Sequence, residues 1–179
     1  MTEEKKEALS LKMLSQALKL EERGEKFYIE AIKKCNNEMG KEIFAMLRKD
    51  EVVHRQRIRS IYESLNAGRG WSEEWEEFKI EHGEIGGIFA KLAKEHGKEI
   101  KPDASDLEAL NIGVDLEQHS IKFYREHLGK SGDPLEKSFL ERMISEEQTH
   151  FAALNDMRDY LTDPEAWFLK KERILPSGP

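Results

Sequence analysis

Apolar residues recur along this chain at alternating steps of three and four, the spacing of a helix that turns one face to a protein core. In one such series two polar residues occupy the middle: Phe44, Leu47, Glu51, His54, Ile58, Ile61 and Leu65. A carboxylate and an imidazole are costly to bury without partners. The pattern therefore predicts that Glu51 and His54 have a purpose inside the core.

The same series recurs 96 residues later, with a second Glu-x-x-His motif in its middle: Leu140, Met143, Glu147, His150, Leu154, Met157 and Leu161. The repeat also extends upstream, where "LEERGEKFY" at 20–28 matches "LEQHSIKFY" at 116–124. This match pairs Glu21 with Glu117. In both copies 30 residues separate the lone glutamate from the glutamate of the Glu-x-x-His motif. The sequence therefore contains an internal repeat.

Each copy of the repeat predicts a hairpin of two long helices. We expect helices at about 5–35, 40–66, 105–130 and 134–162. The short connections within each pair favour antiparallel neighbours. The fold class predicted is all-α: a four-helix bundle made of two repeated hairpins, joined by a long crossover and followed by a short C-terminal helix.

The whole chain is interpreted as a single domain, residues 1–179. Its predicted parts are hairpin 1 at about 5–66, a crossover at about 67–104, hairpin 2 at about 105–162 and a tail at 163–179. The crossover is expected to carry one or two short helices, since a connection of this length usually has structure of its own.

Local signals support two of the helix starts. Asp133 followed by Pro134 predicts an N-cap and a first-turn proline. Ser105 with Glu108 resembles a capping box, in which each side chain satisfies a backbone N–H at the start of a helix.

Charge and cysteine content narrow the possible functions. The net charge is −7, and the basic residues are scattered among acidic ones, which excludes nucleic acid and an anionic membrane as obvious partners. The single cysteine, Cys35, allows no intramolecular disulfide and is expected to be a small core residue. The N-terminus lacks the apolar run of a secretory signal, and no stretch approaches a membrane span, so we expect the cytoplasm.

Four carboxylates and two imidazoles fall on the inward faces of the predicted bundle: Glu21, Glu51, His54, Glu117, Glu147 and His150. Two divalent cations would balance the four negative charges. Residues at i and i+3 share a helix face, so each Glu-x-x-His motif can reach one metal ion. Mixed carboxylate and imidazole ligands suit iron or manganese, and zinc is also compatible.

The paired Glu and Glu-x-x-His motifs, with a long crossover between them, resemble the ferritin-like diiron carboxylate proteins, specifically the rubrerythrin-related branch. The resemblance implies that Glu51 and Glu147 bridge two iron ions. Glu21 and Glu117 would then be terminal ligands, and His54 and His150 would each bind one metal ion.

The same resemblance implies a set of outer hydrogen-bond partners. Tyr28 and Tyr124 are the candidates for orienting ligands across the bundle, and Asp50 and Glu146 for fixing the histidine tautomers. The remaining histidines at 82, 96, 119 and 127 lack partners at ligand spacing and are interpreted as surface or end-of-core residues.

Two departures from the resemblance affect the function. Full rubrerythrins carry a four-cysteine iron module, which one cysteine cannot form, so a separate electron-donor protein is expected. Rubrerythrins also have an additional carboxylate three residues from the lone glutamate of the second hairpin. In this chain the positions three before and three after Glu117 are Val114 and Ser120, and neither is a carboxylate.

We expect an oxidoreductase that reduces hydrogen peroxide or dioxygen at the diiron site, in defence against oxidative stress. A non-enzymatic iron-handling protein and a structural bundle stabilised by its metal ions stay open as alternatives. A homodimer is a further expectation.

Overall fold

The structure is a computed structural model that describes residues 2–97 and 103–174, and the regular elements within these ranges are helical. The described residues form six α-helices: α1 (Glu3–Lys34), α2 (Glu38–Asn66), α3 (Ile85–His96), α4 (Ala104–Leu128), α5 (Pro134–Thr162) and α6 (Pro164–Ile174). A 3₁₀ turn at Glu74–Glu77 precedes α3. None of the described helices is long and apolar enough to cross a membrane.

The helices α1, α2, α4 and α5 form the four-helix bundle, and the repeated apolar series faces its interior. All fourteen positions of the two series are buried, including the four polar ones. Apolar clusters lie on both sides of those polar residues. One is centred on Phe44 and Leu154, the other on Ile58 and Leu140. The prediction of an all-α bundle built from two hairpins is confirmed.

Each hairpin depends on a side-chain cap at the start of its second helix. Asn37 caps α2 by accepting a hydrogen bond from the N–H of Gly40 at 2.6 Å. Asp133 caps α5 by accepting from the N–H groups of Leu135 and Glu136, and Pro134 is the first helical residue, as predicted. These caps satisfy backbone donors that a helix leaves without a partner.

The predicted capping box at the start of α4 is wrong. The N-cap is Asp103, whose carboxylate accepts from the N–H of Ser105 at 3.1 Å. The helix begins at Ala104, so Ser105 already lies inside its first turn. Asp103 occupies the position from which a short acceptor reaches the free N–H groups, and Ser105 and Glu108 are therefore not a cap pair.

The crossover runs along the bundle, and each of its two helical segments buries an aromatic residue. Trp75 is buried in the 3₁₀ turn, and Phe89 is buried on α3, which contacts α5 and α2. The C-terminal helix α6 covers the end of the bundle at which α3 packs, and there Trp167 packs edge-on against Phe89 and Tyr160. The predicted crossover and tail include residues 98–102 and 175–179, which lie outside the described residues.

Cys35 is a free cysteine between α1 and α2 and is 6% exposed. A Cβ atom added to Gly40 would lie 2.6 Å from its sulfur, so glycine allows α2 to begin directly against the thiol. Burial raises the pKa of this thiol to about 11. Cys35 is thus the small core residue that was predicted.

Candidate metal centre

Six buried side chains meet at the centre of the bundle, and each of the four long helices contributes. Glu21 comes from α1 and Glu117 from α4, while α2 and α5 each contribute one Glu-x-x-His motif. None of the six is more than 3% exposed: Glu21, Glu51, His54, Glu117, Glu147 and His150. The structure therefore brings together all six residues that the sequence predicted as ligands.

The six residues form two groups of four that have two glutamates in common. Glu21, Glu51, His54 and Glu147 can place one ligand atom each within 4.8 Å of one another, and so can Glu51, Glu117, Glu147 and His150. Both groups contain Glu51 and Glu147. A metal ion in each group would therefore have two carboxylates in common with its neighbour.

The histidines point their Nδ1 atoms toward the shared centre. Nδ1 of His54 lies 3.0 Å from Oε2 of Glu21, and Nδ1 of His150 lies 3.1 Å from Oε2 of Glu147. The two rings lie nearly parallel, with their centroids 5.5 Å apart. The inward atoms are thus Nδ1 in both cases, and the outward Nε2 atoms are left for other partners.

The lone glutamates are held by tyrosines from the opposite hairpin. The hydroxyl of Tyr28 on α1 donates to Oε1 of Glu117 on α4, and the hydroxyl of Tyr124 on α4 donates to Oε1 of Glu21 on α1. Both tyrosines are fully buried. For Glu21 the other oxygen, Oε2, faces Nδ1 of His54, whereas for Glu117 the bonded Oε1 itself lies 3.6 Å from Nδ1 of His150.

The outward nitrogens of the histidines bond to acids that also come from the opposite hairpin. Nε2 of His54 lies 3.1 Å from Glu146, and Nε2 of His150 lies 3.0 Å from Asp50. A carboxylate in this position accepts the Nε2 proton and so leaves the Nδ1 lone pair free for a metal ion.

Two basic residues that contact these acids were missed by the sequence reasoning. Arg57, which is buried, donates from Nη1 to Glu146 and from Nε to the carbonyl oxygen of Phe78 at 2.9 Å. His82, in the crossover, lies 2.7 Å from Asp50 through its Nε2 atom. His82, interpreted as a surface or end-of-core residue, is half-buried and in addition contacts an acid of the centre, which the sequence did not predict.

For Arg57 the sequence did hold a signal, because it lies three residues after His54 and thus near the same helix face. For His82 it held none, since the place of a crossover residue depends on how that segment packs. Of the other histidines, His96 and His119 are exposed, and His127 packs against Phe123, as expected for surface and end-of-core positions.

Burial and neighbouring charges shift several pKa values at the centre. Burial raises the pKa of Glu117 to about 8, aided by repulsion from Glu147, and burial together with Glu21 raises the pKa of Glu51 well above its usual range. For His150, burial opposes the charged form, but Glu117, Glu147 and Asp50 raise its pKa above the usual range.

His54 behaves in the same way, because Glu147 and Glu146 outweigh the effect of burial and raise its pKa. The pKa of Glu147 lies well below its usual range; burial opposes this shift, but the two neighbouring histidines outweigh it. The centre thus favours a negative charge on Glu147, and metal cations are the groups that would replace the protons around it.

Two further observations fit a pair of metal ions. Oε1 of Glu147 is 3.4 Å from Nδ1 of His54 but has no hydrogen-bond partner among the described residues, although it is buried. A Cβ atom added to Gly24 would lie 2.9 Å from the carboxylate carbon of Glu51, so only glycine leaves that carboxylate its place. An unpaired buried oxygen within a set of hard oxygen and imidazole donors is what a divalent cation would satisfy.

Comparison with known proteins gives a single finding. The family model described as Rubrerythrin matches residues 12–158, which include all six residues of the centre. Neither the curated proteins nor the solved structures that were searched gave a match.

Proposed function

Since this chain belongs to the rubrerythrin family, we propose that it is a non-haem diiron oxidoreductase that reduces hydrogen peroxide or dioxygen with electrons from a separate donor protein. The proposal assigns Glu51 and Glu147 as bridging ligands and Glu21 and Glu117 as terminal ligands. His54 and His150 are assigned one metal ion each.

The observation that carries the proposal is the sharing of Glu51 and Glu147 between the two groups of donors. A single metal ion held by one group would leave the unshared glutamate of the other, Glu21 or Glu117, buried without a metal ion, and an uncompensated buried charge costs several kcal/mol. Two ions joined by common carboxylates satisfy both groups at once. This arrangement favours a dinuclear site over a single structural ion.

The chemistry of a bound ferrous pair is the transfer of two electrons to an oxidant at open coordination positions. The residues of the chain contribute orientation and exclusion of water. Tyr28 and Tyr124 hold the terminal glutamates, and Asp50 and Glu146 hold the outer protons of the histidines. The two apolar clusters close the bundle on either side of the centre.

Turnover requires electrons from outside this sequence. Reduction of one hydrogen peroxide molecule consumes two electrons and two protons and yields two water molecules. Cys35 is the single cysteine in the sequence and cannot form a four-cysteine iron site. A separate redox protein is therefore proposed as the donor.

Metal content is the first test. Protein prepared anaerobically with Fe(II) should hold about two iron ions per chain by elemental analysis. A Glu51→Gln, Glu147→Gln variant keeps the side-chain shape but loses both bridging carboxylates, and should hold fewer than one. The matched control is a Glu63→Gln, Glu141→Gln variant, which changes exposed glutamates on the same two helices. A wild-type protein that takes up no Fe(II) would reject the dinuclear site.

Redox cycling separates the proposed enzyme from its alternatives. Fe(II)-loaded protein should consume about one equivalent of hydrogen peroxide per iron pair in the absence of a donor, and many equivalents once a chemical reductant is supplied. Iron that is oxidised once and then released to a chelator would indicate an iron-handling protein. Bound metal that raises the melting temperature but never reacts would indicate a structural role.

A further inference from the structure

The two halves of the centre are supported from behind by different residues. In the half with His54, the outer acid Glu146 receives a hydrogen bond from Arg57, one turn along the same helix as His54. The repeat places Ala153 at the position equivalent to Arg57. The half with His150 therefore lacks the arginine that its pseudo-symmetry would provide.

His82 of the crossover contacts Asp50, as Arg57 contacts Glu146 in the other half. Its Nε2 atom lies 2.7 Å from Oδ1 of Asp50, and the other oxygen of Asp50 lies 3.0 Å from Nε2 of His150. Its Nδ1 atom lies 2.7 Å from the carbonyl oxygen of Gly83. A carbonyl oxygen and a carboxylate oxygen both accept hydrogen bonds, so the imidazole of His82 is held between two acceptors.

The surroundings explain why Asp50 needs such a partner. A cavity of about 600 Å³ opens between the crossover and the helices α2 and α5, and its lining includes His82, Asp50 and His150. A carboxylate beside a cavity of this kind can turn toward water. The hydrogen bond from His82 fixes it toward Nε2 of His150 instead.

We propose that His82 is a positioning residue that acts through Asp50 to hold His150 in the tautomer and orientation that bind one of the two metal ions. The inference rests on the proposed dinuclear site and adds a residue outside the repeat to it. One metal position is then supported by a helix arginine and the other by the crossover, so the two positions are unequal.

The metal test compares three variants by Co(II) titration against a competing chelator. His82→Phe keeps a ring but removes both donors, and should weaken the binding of one of the two Co(II) ions by about tenfold or more. His82→Gln keeps one donor and should stay within about threefold of the wild type. His119→Phe changes an exposed histidine on α4 and should leave both affinities unchanged.

A hydrogen-exchange measurement tests the same contact without metal. In the metal-free protein, ¹⁵N-edited NMR should show the Nε2 proton of His150 exchanging slowly with water. The exchange should be at least tenfold faster in His82→Phe and close to the wild-type rate in His82→Gln. A role of His82 in packing alone would not distinguish the two variants in this way.

The outcomes separate this inference from the proposed function. If the wild type binds two Co(II) ions and His82→Phe changes neither affinity, weakens both equally, or matches His82→Gln, the role of His82 is overturned and the dinuclear site stands. If the wild type binds no pair of ions, the proposed function fails. The positioning contact is then decided by the exchange rates, and equal rates in wild type and His82→Phe overturn it.

Discussion

The hydroxyl of Tyr28 on α1 donates a hydrogen bond to Glu117 on α4, in the opposite hairpin. Tyr124, its equivalent in the repeat, returns the same bond to Glu21. The outer acids also cross between hairpins, because Asp50 hydrogen-bonds to His150 and Glu146 to His54. Every outer partner thus crosses from one hairpin to the other, and the geometry of each ligand depends on correct docking of both.

Removal of one crossing hydroxyl should weaken metal binding. In Tyr28→Phe, Glu117 loses the donor that fixes its Oε1 atom, which lies 3.6 Å from Nδ1 of His150, so its carboxylate is less well placed. We expect the affinity for one metal ion to fall by about tenfold, as is typical of outer hydrogen-bond partners. A Co(II) titration against a chelator measures this loss.

Tyr160→Phe is the matched control for the tyrosine prediction. The hydroxyl of Tyr160 is also buried, but it donates to the carbonyl oxygens of Ala93 and Gly97, far from the centre. This variant should lose about 1 kcal/mol of stability and bind metal normally. Equal metal affinities in Tyr28→Phe and wild type would contradict a role of the hydroxyl in ligand placement.

Gly24 should be intolerant of even one added methyl group. The Cβ atom of an alanine would lie 2.9 Å from the carboxylate carbon and from Oε2 of Glu51, so the carboxylate must move. Because Glu51 belongs to both donor groups, Gly24→Ala should reduce the affinity for both metal ions. Isothermal titration with Co(II) or Mn(II) would show it.

Gly87→Ala provides the contrast, because no atom lies within 4 Å of a Cβ at this position on α3. An alanine inside a helix stabilises it by about 0.5–1 kcal/mol relative to glycine. We therefore expect Gly87→Ala to melt slightly higher than wild type with unchanged metal binding. If Gly24→Ala bound both ions as tightly as Gly87→Ala, the close approach of α1 to Glu51 would have no functional role.

The centre could be predicted from the sequence because the repeat supplied two independent copies of one helical spacing. Glu51 and Glu147 interrupt apolar series whose face is fixed by the helical period, so burial and convergence followed from the pattern alone. The lone Glu21 and Glu117 were identified by their shared distance from these motifs. A single glutamate among many acidic residues could not have been recognised as a ligand, but two at the same repeat position could.

The support behind the centre was less predictable, for physical reasons that differ by residue. His82 lies in a segment that has no repeat copy and no regular period, and its contact with Asp50 is set by long-range packing. At the start of α4, Asp103 and Ser105 both have side chains that can cap. Only the backbone conformation decides between them, and it favours Asp103.

The metal-free protein should lose stability as the pH rises from about 5 to 8. The pKa of Glu117 is raised to about 8, so its proton is held more tightly in the folded chain than in the unfolded one. Its stabilising contribution is complete below the usual carboxyl pKa and is lost as the pH rises through the folded value, at about 1.4 kcal/mol per pH unit for each extra proton.

Four other groups of the centre act in the same direction or not at all in this interval. The raised pKa values of Glu51, His54 and His150 also favour the protonated folded state. The pKa of Glu147 is lowered, so its contribution is lost only as the pH falls below about 4.5. Urea denaturation of metal-free protein at four pH values tests the trend, and Glu117→Gln should flatten it. Stability that increases from pH 5 to 8 would contradict it.

Arg57 should stabilise the crossover as well as the centre. It donates to Glu146 on α5 and to the carbonyl oxygen of Phe78, and its guanidinium carbon lies 5.8 Å from the ring centroid of Trp75. Arg57→Ala would leave Glu146 without its cation and release the segment around Phe78. We expect the free energy of unfolding to fall by about 3 kcal/mol, as for a broken buried ion pair.

A double-mutant cycle separates the two roles of Arg57. In a Glu146→Gln background the charge contribution is absent, so Arg57→Ala should cost less, and the remainder reports the contacts with Phe78 and Trp75. Arg59→Ala is the control, because Arg59 is exposed on the same helix and lies 3.9 Å from Glu22 in a surface ion pair. It should change stability by less than about 0.5 kcal/mol. Equal losses from Arg57→Ala in both backgrounds would show that its link to Glu146 contributes nothing to folding.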